Sequence, residues 1–234
     1  MSNELGLSPP HATHSEVLVS LARDGLLRVG VPREHGGSGE DLGAVVEAVA
    51  RTARRSLLAG ITLASQRLLI EALLAGENVG LLEYRLRDLL NADISGNCSA
   101  SWPEVQPAPA IARDTGRGWR ITGQLPAVPN LGKDWFLVSV PVAFEGQSRF
   151  AVVLLRSDED RLVRVDAGTD GFEGSNCAAL ELRGVFCRED EILTSDGPAL
   201  VARLRPLALG LRCAIAAAAR EPCGDQSPRA LSPG

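Results

Sequence analysis

Val31-Pro32-Arg33-Glu34-His35-Gly36-Gly37-Ser38-Gly39 lies between two stretches with helical patterning, and Gly171-Phe172-Glu173-Gly174-Ser175 closes a stretch rich in strand patterns. The order of these segments decides the fold. Before and around the first stretch, apolar residues recur at helical spacing. Thr13 and Glu16 fit a capping box, with Val17, Leu18 and Leu21 on one face and Gly25 free to end the helix in a left-handed conformation. Leu26 to Pro32 is expected to be a short extended piece, and the glycines of 36–39 a turn. Asp41 can cap a second helix through Leu42, Val45, Val46 and Val49. Residues 56–75 predict a mostly apolar helix at the centre of a bundle, and residues 79–90 an amphipathic one.

The character changes over residues 91–109, which are small, polar and rich in proline. Beyond them, short runs at 111–113, 118–122, 135–142, 150–155, 162–165 and 179–185 alternate with turns such as Thr115-Gly116-Arg117-Gly118. Residues 199–220 return to helix, and 221–234 carry three prolines and two glycines. The expected fold class is α+β: an N-terminal helical bundle at 13–97, a small antiparallel β-barrel-like domain at 98–195, and a truncated C-terminal helix at 196–220, with a disordered tail after it.

Composition narrows the function classes. Of 234 residues, 45% are hydrophobic and 23% charged, as in an ordinary globular protein. A net charge of -5 without a basic patch argues against nucleic acid as a partner. No run of about 18 uninterrupted apolar residues predicts a membrane span. The first residues lack the basic and apolar regions of a secretion signal, so the expected location is cytoplasmic. Five cysteines without CxxC spacing read as free thiols there. Three histidines, two of them (His11 and His14) in a stretch read as a tail, make no metal site and no hydrolytic triad. Gly36 to Gly39 lacks the Lys and Ser/Thr of a phosphate loop.

Several stretches, in this order, resemble the acyl-CoA dehydrogenase superfamily. Leu21 through Gly39 resembles its "GL…VPxxxGGxG" stretch, and residues 74–96 its helix leading to a flavin loop. Gly118-Trp119-Arg120-Ile121-Thr122-Gly123 is similar to its "dGwxlnG" strand and turn, residues 171–193 to the end of its middle domain, and residues 204–220 to the first helix of its C-terminal domain. The resemblance covers about residues 15–220. It implies an FAD-dependent oxidoreductase acting on CH–CH groups of fatty acyl thioesters, with acyl-CoA or a similar small molecule as substrate. In that family a Glu carboxylate removes the α-proton while hydride leaves for the flavin. The family's C-terminal bundle supplies a wall of the flavin site and most of an oligomer interface, so the implied partners are a homo-oligomer or a full-length paralogue.

The functional segments depart from the family pattern. Where the family reads "T-E-P-x-x-G-S-D", this chain reads Ser-Ala-Ser-Trp-Pro-Glu-Val-Gln-Pro-Ala-Pro over residues 99–109. Ser101 stands at the flavin-facing Thr and Pro103 is retained, but Trp102 replaces the acidic residue. The second segment, "W-I-T", appears as Ala127-Val128-Pro129, losing the aromatic wall and the hydroxyl. Ala100, Ser101, Ala127 and Pro129 are therefore the candidate cofactor-binding residues. No catalytic residue is assigned, because residues 199–220 contain no acidic side chain. Two alternatives stand beside the dehydrogenase: a non-catalytic remnant or binding subunit that pairs with a full-length relative, and a flavin-dependent monooxygenase of the same fold.

Overall fold

A computed structural model of the chain describes residues 13–99, 108–133, 135–146, 150–165 and 174–220. The expected tails at 1–12 and 221–234 lie outside these residues. Four helices come first: α1 (His14–Arg23), α2 (Leu42–Arg55), α3 (Leu57–Ala75) and α4 (Val79–Leu90). Each start has a chemical reason. Thr13 and Glu16 form the capping box on α1, and the side chains of Asp41, Ser56 and Asn78 accept from Ala44, Ala59 and Leu81 at the starts of α2, α3 and α4. Gly25 takes φ 75° after α1, as its lack of a Cβ allows.

Residues 26–32 are not extended. Leu26–Arg28 is a single 3-10 turn, closed by the Arg28 N–H on the Gly25 carbonyl. The chain then folds back on itself. Ser38 and Gly39 donate backbone N–H bonds to the Arg28 and Val31 carbonyls, and the Arg28 guanidinium bonds the Gly36 carbonyl and Asn91. Local bonding to a turn, plus the burial of Leu27 and Val31, outweighs the β-propensity of the sequence here. The glycines of 36–39 serve this turn.

The strands are β1 (Ser95–Cys98), β2 (Ala110–Asp114), β3 (Trp119–Val128), β4 (Phe136–Phe144), β5 (Phe150–Arg156), β6 (Leu162–Val165), β7 (Ala178–Cys187) and β8 (Ile192–Thr194). They form one sheet in the order β6-β7-β3-β2-β4-β5-β8, with β1 also on β4. Most pairings are antiparallel, while β1 and β2 both run parallel to β4. β1 and β8 carry no alternating pattern long enough to mark them in the sequence. β1 pairs with Phe136–Ser139 of β4, and β2 with Val142–Phe144. Pro141 falls in the gap between those two partners, where its missing N–H costs no bond on that side.

Both faces of β4 are covered, so it reads as an unbroken apolar run. Phe136, Val138, Val140 and Val142 join the core inside the sheet, with Ile121, Leu125, Val153 and Leu180. Leu137 faces the other way, into a core shared with Leu69, Leu73, Leu89 and Leu204 of the helices. The final helix, α5 (Gly197–Arg220), is started by Asp196, whose carboxylate accepts from the Ala199 N–H. It packs Leu204, Leu207 and Leu211 against the bundle, and Arg203 bonds the Ala75 carbonyl at 3.0 Å. By length and composition α3 could cross a membrane, but most of it is buried inside the protein.

The fold-back at 36–39 sets a test. A Cβ on Gly37 would come within 2.0 Å of the Val31 carbonyl oxygen, whereas one on Gly80 meets only Asn78 Oδ1 at 3.4 Å. Gly37→Ala is expected to lower stability by about 1–3 kcal/mol, and Gly80→Ala to leave it equal or raise it by up to about 1 kcal/mol. Urea unfolding of the two variants measures both.

Candidate functional site

The helical part and the sheet meet at a buried polar junction built from α1, α3, β1 and the loop after β3. Gln66 is fully buried in the mostly apolar helix α3. Its amide N–H groups donate to the Leu89 carbonyl at 3.1 Å and the Ile94 carbonyl at 2.9 Å. Its oxygen accepts from the Gly96 N–H at 2.9 Å and from Asn130 Nδ2 at 2.8 Å. All of its donors and acceptors are thus used, as burial of an amide demands.

Asn130 is also fully buried and has φ 63°, a left-handed conformation that asparagine tolerates. Its Nδ2 also donates to the Gly96 carbonyl at 2.6 Å, and its backbone N–H to the Ser175 carbonyl at 2.9 Å. Its Oδ1 faces His14 Nε2 at 2.7 Å. With both Asn130 N–H groups already donating, the His14 nitrogen at this contact must be the donor. The imidazole is therefore the Nε2–H tautomer. Burial holds its pKa below the ordinary value, and the Arg164 charge acts in the same direction. His14 is thus not part of a tail: it is the first residue of α1, buried because Thr13 starts the helix beside it and Asn130 offers an acceptor.

The candidate cofactor segments flank this junction. Ala100 and Ser101 lie outside the described residues. Ser99, just before them, bonds the Ser139 carbonyl through its hydroxyl. Ala127 sits in a β-bulge, where Pro126 and Ala127 together intervene between the Leu125–Leu180 and Val128–Ala178 pairings. It is exposed and has φ 42°, which costs an alanine on the order of 1 kcal/mol. Pro129 is buried, and its carbonyl accepts from Asn97 Nδ2 at 3.0 Å. The structure therefore brings the end of β1 and the end of β3 together. Asn176, at φ 48°, completes the corner by accepting the Leu131 N–H on its carbonyl. Residues held at positive φ concentrate here.

A flavin ring needs N–H donors for its carbonyl oxygens and N5, and a flat apolar wall. Among the described residues, the side chains of this corner do not supply them. Pro129 has no N–H and its carbonyl is taken, the Ala127 side chain is only a methyl group, and the Asn130 amide is turned into the junction. The buried Asn97 Oδ1, which lacks a hydrogen-bond partner, is an acceptor. The described residues do not fit the group. No set of three metal-ligating side chains occurs among them either.

Sequence comparison finds no matching family model and no matching curated protein. Solved structures do match. Glutaryl-CoA dehydrogenase from Mycobacterium smegmatis is 17% identical with TM-score 0.76, over 89% of this chain and 55% of that one. PigA, solved with FAD and proline, is 15% identical with TM-score 0.74, over 92% and 58%. The ChsE4–ChsE5 complex from Mycobacterium tuberculosis gives 22% identity and TM-score 0.68, over 83% and 51%. The fold is that of the acyl-CoA dehydrogenase superfamily. The chain spans a little over half the length of these structures.

The residues at the centre of this junction, His14, Gln66 and Asn130, were not marked by the sequence as a set. Gln66 stood out only as a polar residue in an apolar helix, and Asn130 only as the residue after Pro129. Their importance gives a test. Asn130→Ala would strand His14 Nε2 and the Gly96 carbonyl without partners, and is expected to cost about 2–3 kcal/mol. Asn130→Gly, which relaxes the positive φ but removes the same amide, should lose nearly as much in the same urea titration. A loss confined to the alanine variant would assign the effect to backbone strain instead.

Proposed function

We propose that this chain is a non-catalytic binding subunit that pairs with a full-length relative of the same fold. The observation that carries this reading is the Asn97–Pro129 hydrogen bond together with the inward turn of Asn130. The segment that would edge a flavin is spent on joining the two parts of this chain. α5 adds no carboxylate that could abstract a proton, since its ionisable side chains are arginines and Cys213. Pairing is also compatible with the fold, because the ChsE4–ChsE5 structure is of two different chains together.

A second reading keeps one specific observation in its favour. The ends of β1 and β3 converge where the resemblance puts the cofactor, so residues 100–101, with Ala127 and Pro129, would flank an FAD. On this reading the protein is a flavin-dependent oxidoreductase acting on CH–CH groups of acyl thioesters, or a flavin-dependent monooxygenase. FAD would supply hydride acceptance or oxygen activation, and the chain would contribute the Ser101 hydroxyl and the β-sheet support beneath it.

The visible spectrum of the purified chain separates the readings. The chain, produced alone and with a full-length relative, is expected to be colourless alone and to co-purify with the relative in fixed ratio. A stoichiometric flavin band in the chain alone would overturn the subunit reading and favour the oxidoreductase. Assays with acyl-CoA and with oxygen plus reduced flavin would then tell the two enzyme classes apart.

A further inference from the structure

α2 and α5 pack side by side, with Gly210 so near Val46 that a Cβ on the glycine would lie 2.9 Å from Val46 Cγ2. Of the 29 carboxylate side chains in the sequence these two helices hold one, Glu47, and of its 24 basic side chains they hold seven arginines. All eight are exposed. The acids that precede the helices, Asp41 and Asp196, are taken up as caps by the Ala44 and Ala199 N–H groups. The sequence shows no basic run, because the arginines come from two distant segments and are spread along helical turns. Folding gathers them into one basic layer on a chain whose net charge is -5.

Part of this charge serves the helices themselves. Arg54 and Arg55 end α2 and Arg220 ends α5, where a cation suits the helix dipole. Arg203 donates to the Ala75 carbonyl. Arg205 and Arg212 lie in mid-helix, and neither reason covers them. They are two turns apart and share the outward stripe of α5 with Ala202, Leu209 and Ala216. Leu209 stands between them and is 44% exposed, a large apolar side chain at the middle of the helix. At the rise of an α-helix the stripe from Ala202 to Ala216 is about 21 Å long. Apolar residues at this spacing, flanked by charge, form the pattern of a seam between two helices.

We propose that the outer face of α5, with α2 beside it, seats a helix of a different chain, one that carries carboxylates on both sides of an apolar seam. This rests on the subunit reading above and names the surface and the partner chemistry that perform it. Charge selects the occupant. A second copy would meet this face about a two-fold axis, α5 on α5, and set the arginines of one copy against those of the other. Like charges so placed oppose association, so the face disfavours a dimer of this chain. A duplex or a bilayer also fits poorly. Leu209 and the alanines offer no donor to phosphate, and α5 has no aromatic side chain to anchor at a membrane surface. Carboxylates on a partner helix would meet Arg205 and Arg212 while its apolar side chains covered Leu209.

The full chain, co-expressed with a full-length relative from the same organism, tests this. The complex is expected to weaken at least about tenfold between about 0.1 M and 1 M salt, as the Debye length falls from about 10 to about 3 Å. Arg205→Glu/Arg212→Glu should weaken it at least about tenfold at the lower salt, chiefly through slower association. Arg87→Glu/Arg117→Glu, at two exposed arginines outside both helices, should leave it unchanged. Should the first variant not fold, the wild-type thiol decides. Cys213 is exposed next to Arg212 on α5, and its alkylation, followed by peptide mass, should slow in the complex. A complex that forms equally with the α5 variant, or that leaves Cys213 as reactive as in the free chain, overturns this inference and leaves the subunit reading standing. No complex with the relative overturns both. The face is also reassigned if the chain alone forms a dimer, or binds duplex DNA or phosphatidylserine vesicles, and Arg205→Glu/Arg212→Glu abolishes that binding.

Discussion

Gln66 cannot stay inside α3 unless four partners reach it, and the fold is organised so that they do. Two are carbonyls at the end of α4 and the start of β1, one is the Gly96 N–H, and one is the Asn130 amide. A buried amide left unpaired costs about 1–3 kcal/mol per group, whereas each bond made is worth only about 0.5–1.5 kcal/mol net. The penalty for misplacement therefore sets register more firmly than the bonds add stability. Gly96 carries this requirement to β1, and β1 to β4 through Phe136–Ser139. A side chain on Gly96 would strike Leu69 and the Leu137 carbonyl, so the close approach of α3 to the sheet needs that glycine.

The corner at 127–132 is tied to the interior by its own polar groups. Here the Pro129 carbonyl and the Asn130 side chain point inward and bond to β1 and α3. Positive φ at Ala127, Asn130 and Asn176 is tolerated because surrounding bonds hold each in place. Positive φ gathers at this corner, and its hydrogen-bonding groups are turned to the interior.

Charge is handled differently elsewhere in α3. Arg67 is fully buried, and its guanidinium nitrogens make no hydrogen bond; Glu71 approaches only to 3.8 Å. Burial lowers the Arg67 pKa to about 10 and raises that of Glu71. This pair is costly rather than stabilising, as buried pairs with imperfect geometry are. The helix stays in place through Leu63, Leu69, Ile70 and Leu73, which carry the apolar burial on either side.

The order of elements was legible in the sequence because local chemistry marks it. The capping box at Thr13, the cap at Asp41, the left-handed Gly25 and the apolar helix α3 are all set by near neighbours, and the structure reproduces them. The order of motifs then gave the fold. What tertiary structure alone decided is non-local. Residues 95–98 and 192–194 become strands only because β4 and β5 offer them edges. The piece at 26–32 turns instead of extending because Leu27 and Val31 must be buried. Ala127 and Pro129 were legible only as candidate cofactor-binding residues by resemblance, not as a corner whose bonds turn inward. His14, Gln66 and Asn130 stand 52 and 64 positions apart and share no spacing that a linear pattern can show. Only folding brings them within hydrogen-bonding distance, because the polar groups that burial forces together need not be neighbours along the chain.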